Sequence, residues 1–289
     1  MGCRVAAVVR PSNADPKNLA AVRDRIELIS LDLEVDDIAQ RIPKWDYDAV
    51  FHLAGSANVN FSVEHPQADL QQNLVATVKL LETLRLFAPR TTLVYASSAT
   101  VYGEGATNPV REPDPKIPAS PYGASKLACE IYVRLYAELY GLPTVIGCLF
   151  SVFGPRLRKH IVWDIMKKLA ADPQRLPLFG DGSQVRDFSY VSNVCDALVI
   201  LAECAPKHGE RYNIASGAPV SVAELALAIC TELRCTPMLE YSGSVRPGET
   251  QSCYPDVSAV HALGYVPQID FQTGIARTVK WFLAEQPQL

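Results

Sequence analysis

Short apolar runs alternate along the chain with longer stretches in which apolar residues return every third or fourth position. The run "VAAVV" at residues 5–9 predicts a buried strand, closed by Arg10 and the turn-forming "PSNADP". The helix-prone "DPKNLAAVRDR" and the strand "IELISLDL" follow. "YDAVFHLAG", "TTLVYAS" and "LPTVIGCLFSVFG" predict three further strands. Between them, "DLQQNLVATVKLLETLRLF" sets Leu74, Val78, Leu81 and Leu84 near one helical face, and "SPYGASKLACEIYVRLYAELY" predicts a second long helix. This alternation is the pattern of βαβ units, so the predicted fold class is α/β, a parallel sheet covered by helices.

Beyond about residue 151 the texture changes, with frequent Pro and Gly in "FGPR", "LPLFGDGSQ" and "RPGE". In "VSVAEL", Ser221 and Glu224 predict a capping box and a helix running to about Leu233. "RYNIAS" reads as a strand returning to the main sheet. The expected domains are 1–150 plus about 186–215, and a smaller one of 151–185 plus about 216–289. A cleft between such domains is the default place for a ligand.

Composition narrows the class. Of 289 residues, 48% are hydrophobic and 20% charged, the balance of an ordinary globular protein. A net charge of -4, spread along the chain, lacks the basic stripe of a nucleic-acid binder. The 8 cysteines form no CxxC pair, so neither a disulfide framework nor a metal site is expected, and a reducing cytoplasm fits. Apolar runs such as "ALVILA" are too short to span a bilayer.

The sharpest chemical signal is "SPYGASK". Ser120 suits a helix N-cap and Pro121 its first turn. Tyr122 and Lys126 then fall one turn apart on one face. An ammonium and the positive helix end both stabilise a phenolate, which makes Tyr122 a candidate acid/base. The competing reading is a chance pair on a solvated face. In "LVYASSATVYG", Ser97 and Ser98 end a buried strand, where open parallel sheets place their ligands. A hydroxyl there can bond a substrate oxygen and share its proton with Tyr122; the competing reading is a serine pair that merely ends a strand.

With these residues in view, the chain resembles the extended short-chain dehydrogenases/reductases, in their nucleotide-sugar epimerase/dehydratase group, typified by UDP-glucose 4-epimerase. The resemblance is carried, in order, by "LDL", "FHLAG", "QQNLVAT", "SSATVYG", "SPYGASK", "FSVFGPR", "GDGSQVRDFSYV", "YNIASG" and "RPGE". It implies a Rossmann-type domain for NAD, with NADP possible, and a C-terminal domain for a nucleoside-diphosphate sugar. The implied catalytic group is Ser98, Tyr122 and Lys126. The implied cofactor contacts are Asp32 and Leu33 at the adenine, and Leu53, Ala54, Gly55, Ser56 and Ala57 under the pyrophosphate and ribose. Asn73, Ala96 and Phe150 complete them, together with the catalytic three. Arg186 and Arg246 are implied to grip the substrate diphosphate, with Ser98, Tyr122 and Ser151 also at the substrate. The implied reaction is epimerisation through a transient keto sugar, in a homodimer paired through helices around 66–86 and 121–139.

The chain also departs from the family pattern. The family opens with a strand, a glycine-rich turn and a helix ahead of the strand that "VAAVV" matches, yet Gly2 is the only glycine before Gly55. Strands at 4–9 and 48–54 are therefore expected to flank a gap, and weak NAD(P) binding is expected of this sequence as written. Two readings follow: a piece of an active epimerase, or a shortened sugar-nucleotide-binding pseudoenzyme. A keto-sugar reductase using NADPH is a third. Where the family places an acidic ribose contact, Val9 and Arg10 stand, and Arg10 can accept the extra phosphate of NADP. Ser151 and Asn193 replace a family Asn and Asp, which leaves fine substrate placement open. Family dehydratases carry Asp–Glu directly after the catalytic Ser or Thr; Ala99–Thr100 stand here, favouring an epimerase or reductase.

Overall fold

The computed structural model describes residues 2–13, 17–42, 44–103, 107–244 and 252–285. The chain divides into two compact units. One is Met1–Tyr95, Ser120–Val145 and Pro206–Glu210; the other is Ala96–Ala119, Ile146–Ala205 and Arg211–Leu289.

In the first unit β1 (Ala6–Val9) pairs in parallel with β2 (Glu27–Ser30). The segment between them is not the expected α-helix: Lys17–Arg25 is a 3-10 run with no buried residue. Leu19 and Val22, three residues apart, are only half-buried and every other residue of the run is exposed, and a short helix with so little packing is marginal. α1 (Ile38–Arg41) is capped by Asp37, and β3 (Ala49–His52) pairs in parallel with β4 (Thr92–Ser98), Ala49 opposite Thr92. β1–β2 and β3–β4 belong to separate sheets.

The helical stretch before β4 holds the site's main irregularity. α2 (Val59–Glu64) and α3 (Pro66–Leu70) lead into a π turn, Gln71–Val75, and then α4 (Ala76–Phe87). A π turn inserts one residue and rotates all that follows. The buried side is Asn73, Ala76, Thr77, Leu80, Leu81 and Leu84, which includes the predicted Leu81 and Leu84, whereas the predicted Leu74 and Val78 are only half-buried.

α5 (Pro121–Tyr140) starts as predicted. Ser120 Oγ accepts from the Gly123 N–H at 3.2 Å, with Pro121 in the first turn. It stops at Gly141, whose φ of 66 is left-handed, a conformation glycine adopts without Cβ strain. β5 (Thr144–Leu149) follows.

The second unit contains β6 (Ser151–Phe153), α6 (His160–Ala171), β7 (Arg175–Leu178), β8 (Val185–Arg186) and β9 (Phe188–Tyr190). Then come α7 (Val191–Cys204), β10 (His208–Ile214), β11 (Val220–Ser221), α8 (Val222–Leu233), β12 (Met238–Tyr241), α9 (Ser258–Ala262) and α10 (Phe271–Glu285). The single strand expected over "LPTVIGCLFSVFG" is divided at Phe150. β5 stays in the main sheet, while β6 pairs with β9, Ser151 opposite Phe188. α8 shows both bonds of its predicted capping box. The core gathers Phe153, Ile165, Met166, Leu176, Leu225, Ile229, Ile275 and Phe282, all nearly inaccessible. The main sheet runs β10-β5-β4-β3, so "RYNIAS" does return to it.

Candidate active site

Tyr122 and Lys126 lie one turn apart at the capped end of α5, and both are buried, Lys126 with 6% of its surface exposed. A lysine so enclosed needs electrostatic partners. One is the Tyr95 ring of β4, whose centroid lies 4.9 Å from Lys126 Nζ. His52 at the end of β3 tilts against the same ring, with centroids 5.6 Å apart.

His52 is itself buried, and its role was not legible in "FHLAG". Thr77 Oγ1 donates its only proton to the Asn73 carbonyl at 2.6 Å, so His52 Nε2, 2.9 Å from that oxygen, must be the protonated nitrogen and donate. This chain ties β3 to the π turn. Burial first, and the Lys126 charge second, drive the His52 pKa down to about 3. The folded state therefore binds this proton less readily than the unfolded chain, and stability is full above the ordinary pKa. It is lost as pH falls from about 6.5 towards about 3, at about 1.4 kcal/mol per pH unit. Urea titrations at pH 7 and pH 5 should show the parent losing about 2 kcal/mol more than His52→Gln; equal losses would assign the acid sensitivity elsewhere.

The loop Leu53–Ala57 leaves β3 largely exposed. Gly55 has φ 134, and a Cβ there would stand 2.3 Å from Asn73 Oδ1. Asn73 is buried on the π turn, and its Nδ2 is used by the Asp69 carbonyl at 3.2 Å and Asp69 Oδ1 at 3.0 Å. Its Oδ1 has no hydrogen-bond partner among the described residues, nor does Asp69 Oδ2. Residues 53–57 present a largely exposed backbone bend that carries no Cβ at Gly55, an open surface along which a polar ligand can lie. These residues thus fit the dinucleotide implied by the sequence.

Arg10, at the end of β1, is bonded to Glu34 and lies 3.4 Å from Asp32 Oδ2. Asp32 Oδ1 also accepts from the Glu34 N–H at 2.9 Å, which bends the chain just beyond β2 at Leu33. Two carboxylates beside the guanidinium disfavour a phosphate there.

In the second unit Ala96 is buried in β4, and Ser98 Oγ, at its end, accepts from the Thr100 N–H and hydroxyl. Phe150 is buried against Tyr102, centroids 6.3 Å apart, and Ser151 opens β6. Arg186 sits in β8, where its Nη1 donates to the Val185 carbonyl at 2.8 Å. Arg246 lies outside the described residues.

Two buried polar residues brace this unit. Asp187, fully buried, accepts from the Ser216 N–H at 2.8 Å, the Ser216 hydroxyl at 2.6 Å and the Gly217 N–H at 2.8 Å. Asn193 donates to the Ile269 carbonyl at 2.7 Å and accepts from the N–H groups of Gln268 and Ile269. Its amide thus serves as donor and acceptor together, which a carboxylate cannot, and the substitution is accounted for within the fold.

The family model described as the NAD dependent epimerase/dehydratase family matches residues 1–215. UDP-glucose 4-epimerase of Mycolicibacterium smegmatis is 33% identical over 263 residues, 90% of this chain and 83% of that protein. dTDP-glucose 4,6-dehydratase of Xanthomonas campestris pv. campestris is 36% identical over 261 residues, 83% of this chain and 73% of that one. Among solved structures, UDP-N-acetylglucosamine 4-epimerase from Methanobrevibacter ruminantium, in complex with UDP-N-acetylmuramic acid, superposes with a TM-score of 0.89. It is 30% identical, and the match covers 98% of this chain and 91% of that one.

Proposed function

Because this chain belongs to the NAD dependent epimerase/dehydratase family, we propose that it epimerises a nucleoside-diphosphate sugar at C4 through a transient keto sugar. The observation that carries this reading is the buried Tyr122–Lys126 pair at the capped start of α5, in a fold shared with sugar-nucleotide 4-epimerases. In the proposed reaction Tyr122 takes the proton of the sugar hydroxyl and later returns it. Lys126 holds the tyrosine in its proton-accepting form. Ser98 donates a hydrogen bond to the same sugar oxygen. NAD held there would supply the acceptor, and then the donor, of the hydride that leaves the sugar carbon and returns to its opposite face. Asn73, Gly55 and their loop are the proposed seat of that cofactor, with Asp32, Leu33, Ala96 and Phe150 as further contacts. Asp32 and Glu34 flanking Arg10 support NAD over NADP.

Epimerisation is favoured over dehydration because no carboxylate follows Ser98: Ala99 is apolar, and the Thr100 hydroxyl is engaged with Ser98 itself. Arg186 and Arg246 are the proposed diphosphate grips, since guanidinium forks suit phosphate oxygens. The functional division proposed is 1–150 plus about 186–215 for the cofactor, and 151–185 plus about 216–289 for the sugar nucleotide. Arg186→Ala should raise the KM for UDP-glucose at least about tenfold, a loss of about 1.4 kcal/mol, with kcat little changed. An unchanged KM would move the diphosphate elsewhere.

A homodimer through the helices around 66–86 and 121–139 belongs to the same proposal. Leu70 on α3, and Ile131 and Leu139 on α5, are exposed apolar residues on those helices. Light scattering should give twice the chain mass; a monomer at micromolar concentration would contradict the pairing. No helix among the described residues is long and apolar enough to cross a membrane. A cytoplasmic location belongs to the same proposal, supported by eight cysteines that all stand as free thiols.

A further inference from the structure

The chemistry open to Ser98 is set by the residue two positions on. The Thr100 N–H donates to Ser98 Oγ at 3.3 Å, and the Thr100 hydroxyl donates to the same oxygen at 3.0 Å. A serine hydroxyl has two lone pairs and a single proton. With both lone pairs engaged, only the proton is left to offer, and among the described residues nothing accepts it. Ser98 is extended, with φ -144 and ψ 144, and half-buried at the end of β4, so its hydroxyl is held at the strand terminus. The backbone N–H alone would make an ordinary N-cap. The second donor, from a side chain, goes beyond what capping a three-residue 3-10 turn needs.

We propose that Thr100 is a positioning residue that locks Ser98 as a one-way hydrogen-bond donor toward the substrate and prevents it from relaying protons. The proposal rests on the reading that Ser98 faces the sugar. It replaces the expectation that Ser98 shares its proton with Tyr122. A relay requires Ser98 to accept the sugar's proton while passing its own onward, and no lone pair is left to accept it. In this account the sugar hydroxyl's proton goes to the Tyr122 oxygen, and the Ser98 O–H bond stays intact throughout. Ser98 stabilises the charge that develops on the sugar oxygen, as a fixed donor does in an oxyanion site. Thr100 acts only through Ser98.

A double-mutant cycle separates this role from a merely structural one. The variants are Thr100→Val, Thr100→Ser, Ser98→Ala and the double Ser98→Ala/Thr100→Val. Each is titrated calorimetrically with UDP-glucose and with UDP, and assayed for turnover with NAD. Thr100→Val should lower kcat about tenfold, equivalent to about 1.4 kcal/mol, and cut the preference for UDP-glucose over UDP by about threefold. Thr100→Ser, which keeps the hydroxyl, should restore both to within about twofold of the parent. In the Ser98→Ala background, adding Thr100→Val should change neither quantity. Thr100→Val within about twofold of the parent, or a full additional loss in the Ser98→Ala background, would overturn the proposal. Should Ser98→Ala itself leave turnover and sugar preference unchanged, the placement of Ser98 at the sugar fails, and the role of Thr100 falls with it.

Discussion

Tyr122→Phe should lose nearly all turnover, by about 100- to 10,000-fold, while binding UDP-glucose as tightly as the parent. The change deletes one oxygen from a side chain already buried at the start of α5, so the ring still fills its site and the helix cap at Ser120 is untouched. What disappears is the group proposed to accept the sugar's proton. Lys126, still over the Tyr95 ring, cannot replace it, because a protonated ammonium has no lone pair to offer. The measurement is kcat for sugar epimerisation beside a calorimetric Kd for UDP-glucose. Turnover within a few-fold of the parent would remove Tyr122 from the chemistry. A Kd weakened as much as kcat would make it a binding residue instead.

Gly55→Ala should abolish measurable NAD binding even at the high concentrations needed to load the parent, whose own NAD binding is expected to be weak. Two costs coincide. Alanine at φ 134 leaves the allowed regions for L residues, a strain of about 1–3 kcal/mol. Its Cβ would also stand 2.3 Å from Asn73 Oδ1, and Asn73 cannot simply swing aside, since its Nδ2 is bonded to Asp69 and its carbonyl accepts from Thr77. The loop must therefore rebuild, and residues 53–57 lose their path over the π turn. Calorimetric titration with NAD and NADP is the check, with the parent expected to bind NAD the tighter of the two. Parent-like NAD affinity in Gly55→Ala would place the cofactor away from this bend.

The features legible in the sequence are those whose cause is local. Ser120 with Pro121 marks the start of α5, and Ser221 with Glu224 marks that of α8, because a cap is a bond between residues three apart. The Tyr122–Lys126 pair could be read for the same reason. The π turn at 71–75 could not, since no residue type announces one extra residue in a helix; of the predicted face, Leu81 and Leu84 are buried and Leu74 and Val78 only half-buried. The break at Phe150 depends on β6 finding β9, far along the chain. Asp187 escaped notice because its partners, Ser216 and Gly217, lie about thirty residues away and are joined to it only by folding. Thr100 stood in plain view after Ser98, yet its sequence context says only that no dehydratase carboxylate is present. The direction of a hydroxyl bond is a matter of geometry.

The central claim is that the sugar is oxidised, turned and reduced again with no net loss of water or hydride. It is tested most directly by proton NMR of UDP-glucose incubated with the protein and NAD, while the absorbance of reduced nicotinamide is followed in the same sample. The account predicts that the C4 epimer accumulates to an equilibrium mixture and that no reduced nicotinamide builds up. A 4-keto-6-deoxy sugar, net reduction of the cofactor, or an unchanged sugar in a sample where calorimetry shows it bound would contradict it.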